Sequence, residues 1–134
     1  MGSQQLLLII VAVVLIGISV AIGVWMFIDQ GAATNRDSIS NDLVQYAAQA
    51  QKYYRRPQTL GGGNNSFGGL TLSKVTSKST NANGAYTLSP DPAPATATSV
   101  QIIGLGRELG SDGETPLQMT MTVWSDSILI VADN

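Results

Sequence analysis

The chain has 134 residues, of which 44% are hydrophobic and 12% charged, with a net charge of −2 and neither cysteine nor histidine. Without cysteine there is no disulfide or thiolate chemistry, and without histidine the commonest general base and metal ligand is missing. The seven Lys and Arg residues are scattered along the sequence, which argues against the basic stripe that a nucleic-acid surface needs. We therefore predict no enzyme, no metal site, no cofactor and no nucleic-acid partner.

Residues 1–28 contain no charged side chain. Their aliphatic run continues through Gly17, Ser19 and Gly23 to Trp25, long enough to cross a hydrocarbon core of ~30 Å as a helix. A secretory signal peptide fits less well, because the first residues carry no Lys or Arg and the run exceeds the about 7–15 apolar residues of a signal peptide. Two interpretations remain: a single-pass anchor, or a helix held in the membrane before it packs against copies of itself.

Residues 29–56 predict an amphipathic helix that continues the apolar one. Apolar or small residues recur at spacings of four, four, three and four, which places one stripe on the helix. The stripe consists of Ile39, Leu43, Ala47, Ala50 and Tyr54. Pro57 ends the helix, because the residue before a proline is disfavoured in the α region. The weakest point of a joined helix lies at Gly31 and Thr34-Asn35, and two separate helices are the alternative.

The middle of the chain is predicted to be mostly loop. Residues 58–69 are rich in glycine and lack the Gly-Lys-Ser/Thr ending of a phosphate-binding loop. Asn64 begins an Asn-x-Ser sequon, so we note it as a possible glycosylation site. Residues 70–75 alternate as a short strand or terminal turn, residues 76–83 are a solvated loop, and residues 84–88 predict a strand.

The last third predicts an antiparallel meander of three strands over residues 99–106, 117–124 and 127–132. One face of this sheet should be covered by the helical stripe, which makes the fold class α+β. The expected helix–sheet core combines the stripe with Met119, Met121 and Val123. In the turn before residue 117, Asp112 and Glu114 supply two carboxylates, few against the about 6–8 oxygens that calcium prefers, so a plain solvated turn is favoured.

Two segments resemble the type IV pilin superfamily. The first is Gln4-Gln5 followed by Leu6-Leu7-Leu8-Ile9-Ile10-Val11-Ala12-Val13, and the second is Ala47-Ala48-Gln49-Ala50-Gln51-Lys52-Tyr53-Tyr54 before the glycine-rich loop. Gln5 stands where that superfamily carries a glutamate, if Met1 is the first mature residue. The chain also departs from the pattern in lacking a basic leader, a proline in the apolar helix and a C-terminal cysteine pair.

The resemblance implies a structural subunit of an extracellular type IV pilus-like helical filament. Such a subunit waits in the inner (cytoplasmic) membrane, is handled by pilus assembly machinery, and polymerises with copies of itself. The alternative is a pseudopilin-like or single-pass membrane protein that binds a partner through its extracytoplasmic head. The residues expected to contact neighbouring copies are Gln5, Leu8, Val11, Leu15, Gly17, Gly23 and Trp25. A buried Gln5 amide would need a hydrogen-bond partner on a neighbour.

Overall fold

The computed structural model describes residues 1–134 as one long helix packed on an antiparallel sheet. The helices are α1 (Gly2–Arg55) and the short α2 (Leu72–Val75), with a 3-10 turn at Gln58–Leu60. The strands are β1 (Gly84–Ser89), β2 (Ser99–Leu109), β3 (Pro116–Trp124) and β4 (Ile128–Ala132), in the spatial order β1-β2-β3-β4. The predicted α+β class is confirmed.

Helix α1 is continuous over 54 residues, on the order of 80 Å, and Gly31 does not interrupt it. We call residues 1–28 the stem and residues 29–134 the head. The helix ends at Arg55 because Arg56, which precedes Pro57, takes an extended backbone conformation (φ −72°, ψ 136°). Lys52 and Arg55 lie in the last turn, where positive charge complements the helix dipole. The two halves of the helix are therefore one rod.

The sheet contains one strand more than the predicted meander. β1 pairs antiparallel with β2, while β3 pairs with β2 and β4. In the register Ile102 lies opposite Met121 and Val100 opposite Val123, so these side chains share the face that α1 covers. The buried core contains the following residues of α1 and β3: Ile39, Leu43, Ala47, Ala50, Leu117, Met119, Met121 and Val123.

Two glycines of β2 allow α1 to lie directly on the sheet. A Cβ atom at Gly104 would come within 2.7 Å of Ile39 Cγ2, and one at Gly106 within 2.4 Å of Asn35 Oδ1 and 3.0 Å of Ile39 Cδ1. Asn35 uses that same oxygen to accept hydrogen bonds from the backbone N–H groups of Arg107 and Glu108, at 3.1 and 3.3 Å. The missing side chains thus let the helix both pack and bond to the strand.

The structure corrects two details near the end of α1. Tyr54, which the periodicity predicts in the core, is half-buried and packs against the core, with its ring 4.8 Å from that of Phe67. Tyr53 is buried instead and donates a hydrogen bond of 2.8 Å to the Gly68 carbonyl oxygen. The glycine-rich loop therefore folds over Tyr53. At its last turn the buried face of α1 includes Tyr53, one residue before the Tyr54 of the predicted stripe.

Of the two alternatives for residues 70–75, a short strand or a terminal turn, the structure has a turn: residues 72–75 form the single-turn helix α2. The backbone N–H of Thr76 donates to the Leu72 carbonyl, and Val75 is buried under the turn. Lys74 bonds to the Gly69 carbonyl at 3.0 Å and lies 5.0 Å from the centre of the Tyr53 ring. Because Leu70 already belongs to the preceding loop, the apolar alternation is too short to specify a strand.

One carboxylate ties the loop before β1 to the helix. Asp42 Oδ2 accepts hydrogen bonds from Asn81 Nδ2 and Asn83 Nδ2, both at 2.8 Å, and from the Tyr86 hydroxyl at 2.5 Å. Partial burial raises the pKa of Asp42, but the three hydrogen bonds, led by that of Tyr86, outweigh it and lower the pKa below its ordinary 3.8. Burial, and then the bond to Asp42, raise the pKa of Tyr86. The carboxylate therefore stabilises the head in its ionised form.

Replacing Gly106 by Ala should destabilise the head by about 1–3 kcal/mol, because the added methyl group displaces Asn35 and Ile39. The measurement is hydrogen-exchange protection of the β2 and β3 amides in the full chain, held in detergent. Gly17→Ala is the matched control, since nothing lies within 4 Å of a Cβ at that position in the isolated chain. Equal protection in both variants would contradict the proposed close packing.

The Asp42 network predicts a pH dependence of head stability. A lowered pKa in the folded state contributes stability that is present above the ordinary value of 3.8 and is lost as the pH falls below it. Asp42→Asn should lower the free energy of unfolding of the head by about 1.5–3 kcal/mol at neutral pH, because the new amide group faces the amide donors of Asn81 and Asn83. The free energies of unfolding of the variant and the wild type should become more alike as the pH falls below 3.8. The control is Asp37→Asn, an exposed position on the same helix, which should have little effect at any pH. A pH-independent difference would refute the role of ionised Asp42.

Candidate membrane and assembly interface

The stem exposes apolar side chains on every side. All residues of 1–28 are exposed, and Trp25 and Phe27 reach 81% and 80% of their full accessible surface. Soluble monomers rarely expose continuous apolar patches larger than a few hundred Å², and a whole uncharged helix surface is well beyond that. The stem therefore needs a nonpolar environment, supplied either by lipid or by other protein chains.

The stem meets the requirements of a membrane span. Helix α1 is long and apolar enough near its N-terminus to cross a membrane. Residues 6–28 rise by about 35 Å, which fits a hydrocarbon core of ~30 Å with some tilt. The Ser19 hydroxyl donates to the Leu15 carbonyl oxygen at 2.8 Å, so its polar group is satisfied within the helix. The last aromatic residues precede Asp29, the position expected for a membrane–water boundary.

The predicted contact residues do not form a single face. With 3.6 residues per turn, Leu8, Val11 and Leu15 lie on one side of the helix and Gly17 on roughly the opposite side. Gln5 and Gly23 share a third direction, and Trp25 lies at the edge of the first side, about 40° around the helix from Val11. All seven predicted residues are exposed. This distribution suits a helix with neighbours on several sides better than a helix with one partner.

Small residues form two close-approach faces on the stem. Gly17 and Ala21 are four residues apart on one side, and Ser19 and Gly23 are four apart on the other, about 160° around the helix. Small residues at this spacing let helix backbones approach closely within membranes. Ala21 is not among the predicted contact residues, although its spacing of four from Gly17 places it on the same face of the helix.

The acidic turn around Asp112 is organised by hydrogen bonds within the turn itself. No group of three or more acidic side chains is gathered in a way that could hold a metal ion. Asp112 instead accepts hydrogen bonds from the backbone N–H groups of Glu114 and Thr115 and from the Thr115 hydroxyl. The Thr115 side chain contributes most to lowering the pKa of Asp112, followed by the backbone bonds. The acidic turn is thus held by its own carboxylate.

Asn64 lies exposed in the glycine-rich loop, with a left-handed backbone (φ 52°). The Ser66 hydroxyl of its sequon accepts a hydrogen bond from the Gly68 N–H at 3.0 Å and donates to the Ala95 carbonyl at 3.3 Å. The bonds of Ser66 therefore tie the end of the sequon to the neighbouring loop segments, while the Asn64 side chain is open to solvent.

Comparisons with known proteins add no assignment: no protein-family model matches the chain, and neither a curated protein nor a solved structure matches it.

In lipid vesicles, Trp25 should lie near the headgroup boundary, because it is only about 6 Å along the helix from Asp29. The Trp124→Phe variant leaves Trp25 as the single tryptophan, and bromine near the lipid glycerol should quench it more than bromine at the chain ends. Trp25→Phe, which leaves Trp124 in the head, should be quenched by neither lipid. Stronger quenching from the chain ends would contradict this placement.

Proposed function

We propose that the chain is a structural subunit of an extracellular pilus-like helical filament, with the stem forming the filament core. One observation carries the proposal: an uncharged stem, exposed on all sides, is continuous with the helix that forms the core of the head. The membrane is then the environment of the subunit before assembly, and copies of the same stem replace the lipid afterwards.

Rigid continuity distinguishes this arrangement from an ordinary anchor. An anchor needs only to be apolar, and it works equally well when a flexible linker joins it to the head. Here the residues that leave the stem continue into a helix whose buried residues Ile39, Leu43 and Ala47 pack on the sheet. Stems that bundle would therefore hold their heads at defined angles and heights, and repeated head-to-tail contacts of this kind generate open helical fibres.

The surface of the stem also supports contacts with several copies. The two faces of small residues, Gly17 with Ala21 and Ser19 with Gly23, would admit close neighbours on opposite sides. Aliphatic residues occupy the directions between them. Gln5 lies just before the aliphatic run, and in a core of copies its amide would bond to a neighbour's backbone or terminus, because an unpaired buried amide costs about 1–3 kcal/mol.

Placing a charge in the centre of the stem should abolish fibres. Ile16→Lys would bury an ammonium group among apolar helices without a partner, which is strongly unfavourable. The measurement is electron microscopy of material sheared from producing cells, with gold-labelled antibody to the head. The matched control is Ile28→Lys, at the end of the stem beside Asp29, where the side chain can reach water; this variant should still form fibres.

Two results would contradict the filament. Normal fibres from Ile16→Lys, present in the membrane fraction at the wild-type level, would show that the stem is not buried in a core. Wild-type protein that remains wholly in the membrane fraction, with no labelled fibres, would favour the membrane-anchored alternative, in which the head binds a different partner.

A further inference from the structure

The head is electrically polarised along the axis of α1. Its distal end, around the last turn of α1, carries four of the seven basic residues. These four exposed side chains, the basic cap, are Lys52, Arg55, Arg56 and Lys74. Lys74 joins the cap because α2 packs beside Tyr53. Two carboxylates, Asp91 and Asp126, lie in the loops at this end.

The proximal end, where the stem enters the head, is acidic. The bonds from Asn35 to β2 hold the turn after β2 at this level of the helix. Exposed carboxylates there include four that we call the acidic rim: Asp37, Glu108, Asp112 and Glu114. Arg36 and Arg107 lie at the same end, and each donates to a backbone carbonyl, of Asn134 and Asn81 respectively. Cap and rim are about 25–30 Å apart along α1.

The charges of the cap are open to an external partner. Arg55 donates to the Ser125 carbonyl at 3.4 Å and Lys74 to the Gly69 carbonyl, so these bonds satisfy N–H groups without neutralising charge. The distance between cap and rim exceeds the Debye length of about 8 Å at physiological salt. Neither patch therefore screens the other within one chain.

We propose that the basic cap of one head binds the acidic rim of the next copy along the filament axis. This inference rests on the proposed function. Stems inserted in one membrane all point the same way, so stacked heads keep one orientation and present opposite ends to each other. The stem, about 40 Å long, is longer than the distance between cap and rim, so it passes beside the head below while the rim contacts that head's cap.

A second copy explains both patches at once. A free anionic ligand would match the cap but leave the rim unmatched, and a cation would do the reverse. Copies of the chain carry both signs, so the copy below matches the rim with its cap and the copy above matches the cap with its rim. Complementary patches of this kind govern register and partner choice more than raw affinity.

The experiment reverses each patch in the full chain and measures fibre yield in the sheared fraction. Arg55→Glu with Arg56→Glu, and separately Glu108→Lys with Glu114→Lys, should each lower the yield on the order of tenfold, because attraction becomes repulsion at every axial contact. Lys78→Glu is the control for the cap variant, since it also makes the net charge more negative but lies outside both patches. Each variant must be present in the membrane fraction at the wild-type level.

Combining the reversals provides the decisive test. Co-expression of the cap and rim variants should restore fibres containing both, because every contact in an alternating polymer is again complementary. One chain carrying all four substitutions should also recover. Two results would overturn this inference but leave the proposed function intact, provided that the wild type forms fibres. One is an unchanged fibre yield in both single-patch variants, and the other is a yield that does not recover when the reversals are combined. Absence of wild-type fibres would overturn the proposed function and this inference with it.

Discussion

The rest of the structure depends on the contact between the second half of α1 and the inner face of the sheet. Ile39 reaches the strand because Gly104 and Gly106 have no side chains, and Asn35 secures the approach by bonding to the β2 backbone. This contact builds the only large core of the head and at the same time sets the direction in which the stem leaves it. The stability of the fold and the direction of the stem are consequently controlled by the same few atoms.

Periodicity predicted the regular parts of the fold because it reports which face is buried. A spacing of three and four placed Ile39, Leu43, Ala47 and Ala50 on one helix face, and alternation placed Met121 and its neighbours on one sheet face. Where burial depends on a loop, periodicity fails. Tyr53 rather than Tyr54 is buried because the glycine-rich loop folds over it. Residues 70–75 could be either a short strand or a terminal turn by their pattern, and the local hydrogen bonds of α2 decide for the turn.

Long-range polar features could not be predicted from the sequence either. Nothing local relates Asp42 to Asn81, Asn83 and Tyr86, about forty residues away, yet the fold brings all three to one carboxylate oxygen. The basic residues likewise look scattered along the chain, and only the packing of α2 beside Tyr53 brings Lys74 to the cap. In contrast, the uncharged stem can be recognised without knowing the fold, because the absence of charge over 28 residues is visible in the local sequence.

In the proposed filament, the stem alone cannot decide between membrane and polymer. Its apolar surface is removed from water in both states, so the hydrophobic free energy changes little when lipid is exchanged for neighbouring stems. The difference must come from terms that exist only between copies. Close packing at Gly17 and Gly23 is one, and contact between heads is the other. Because α1 couples stem and head rigidly, the two terms act together: a stem seated in the bundle places its cap and rim at fixed heights. The charged surfaces of the head and the small residues of the stem then decide together which chains assemble.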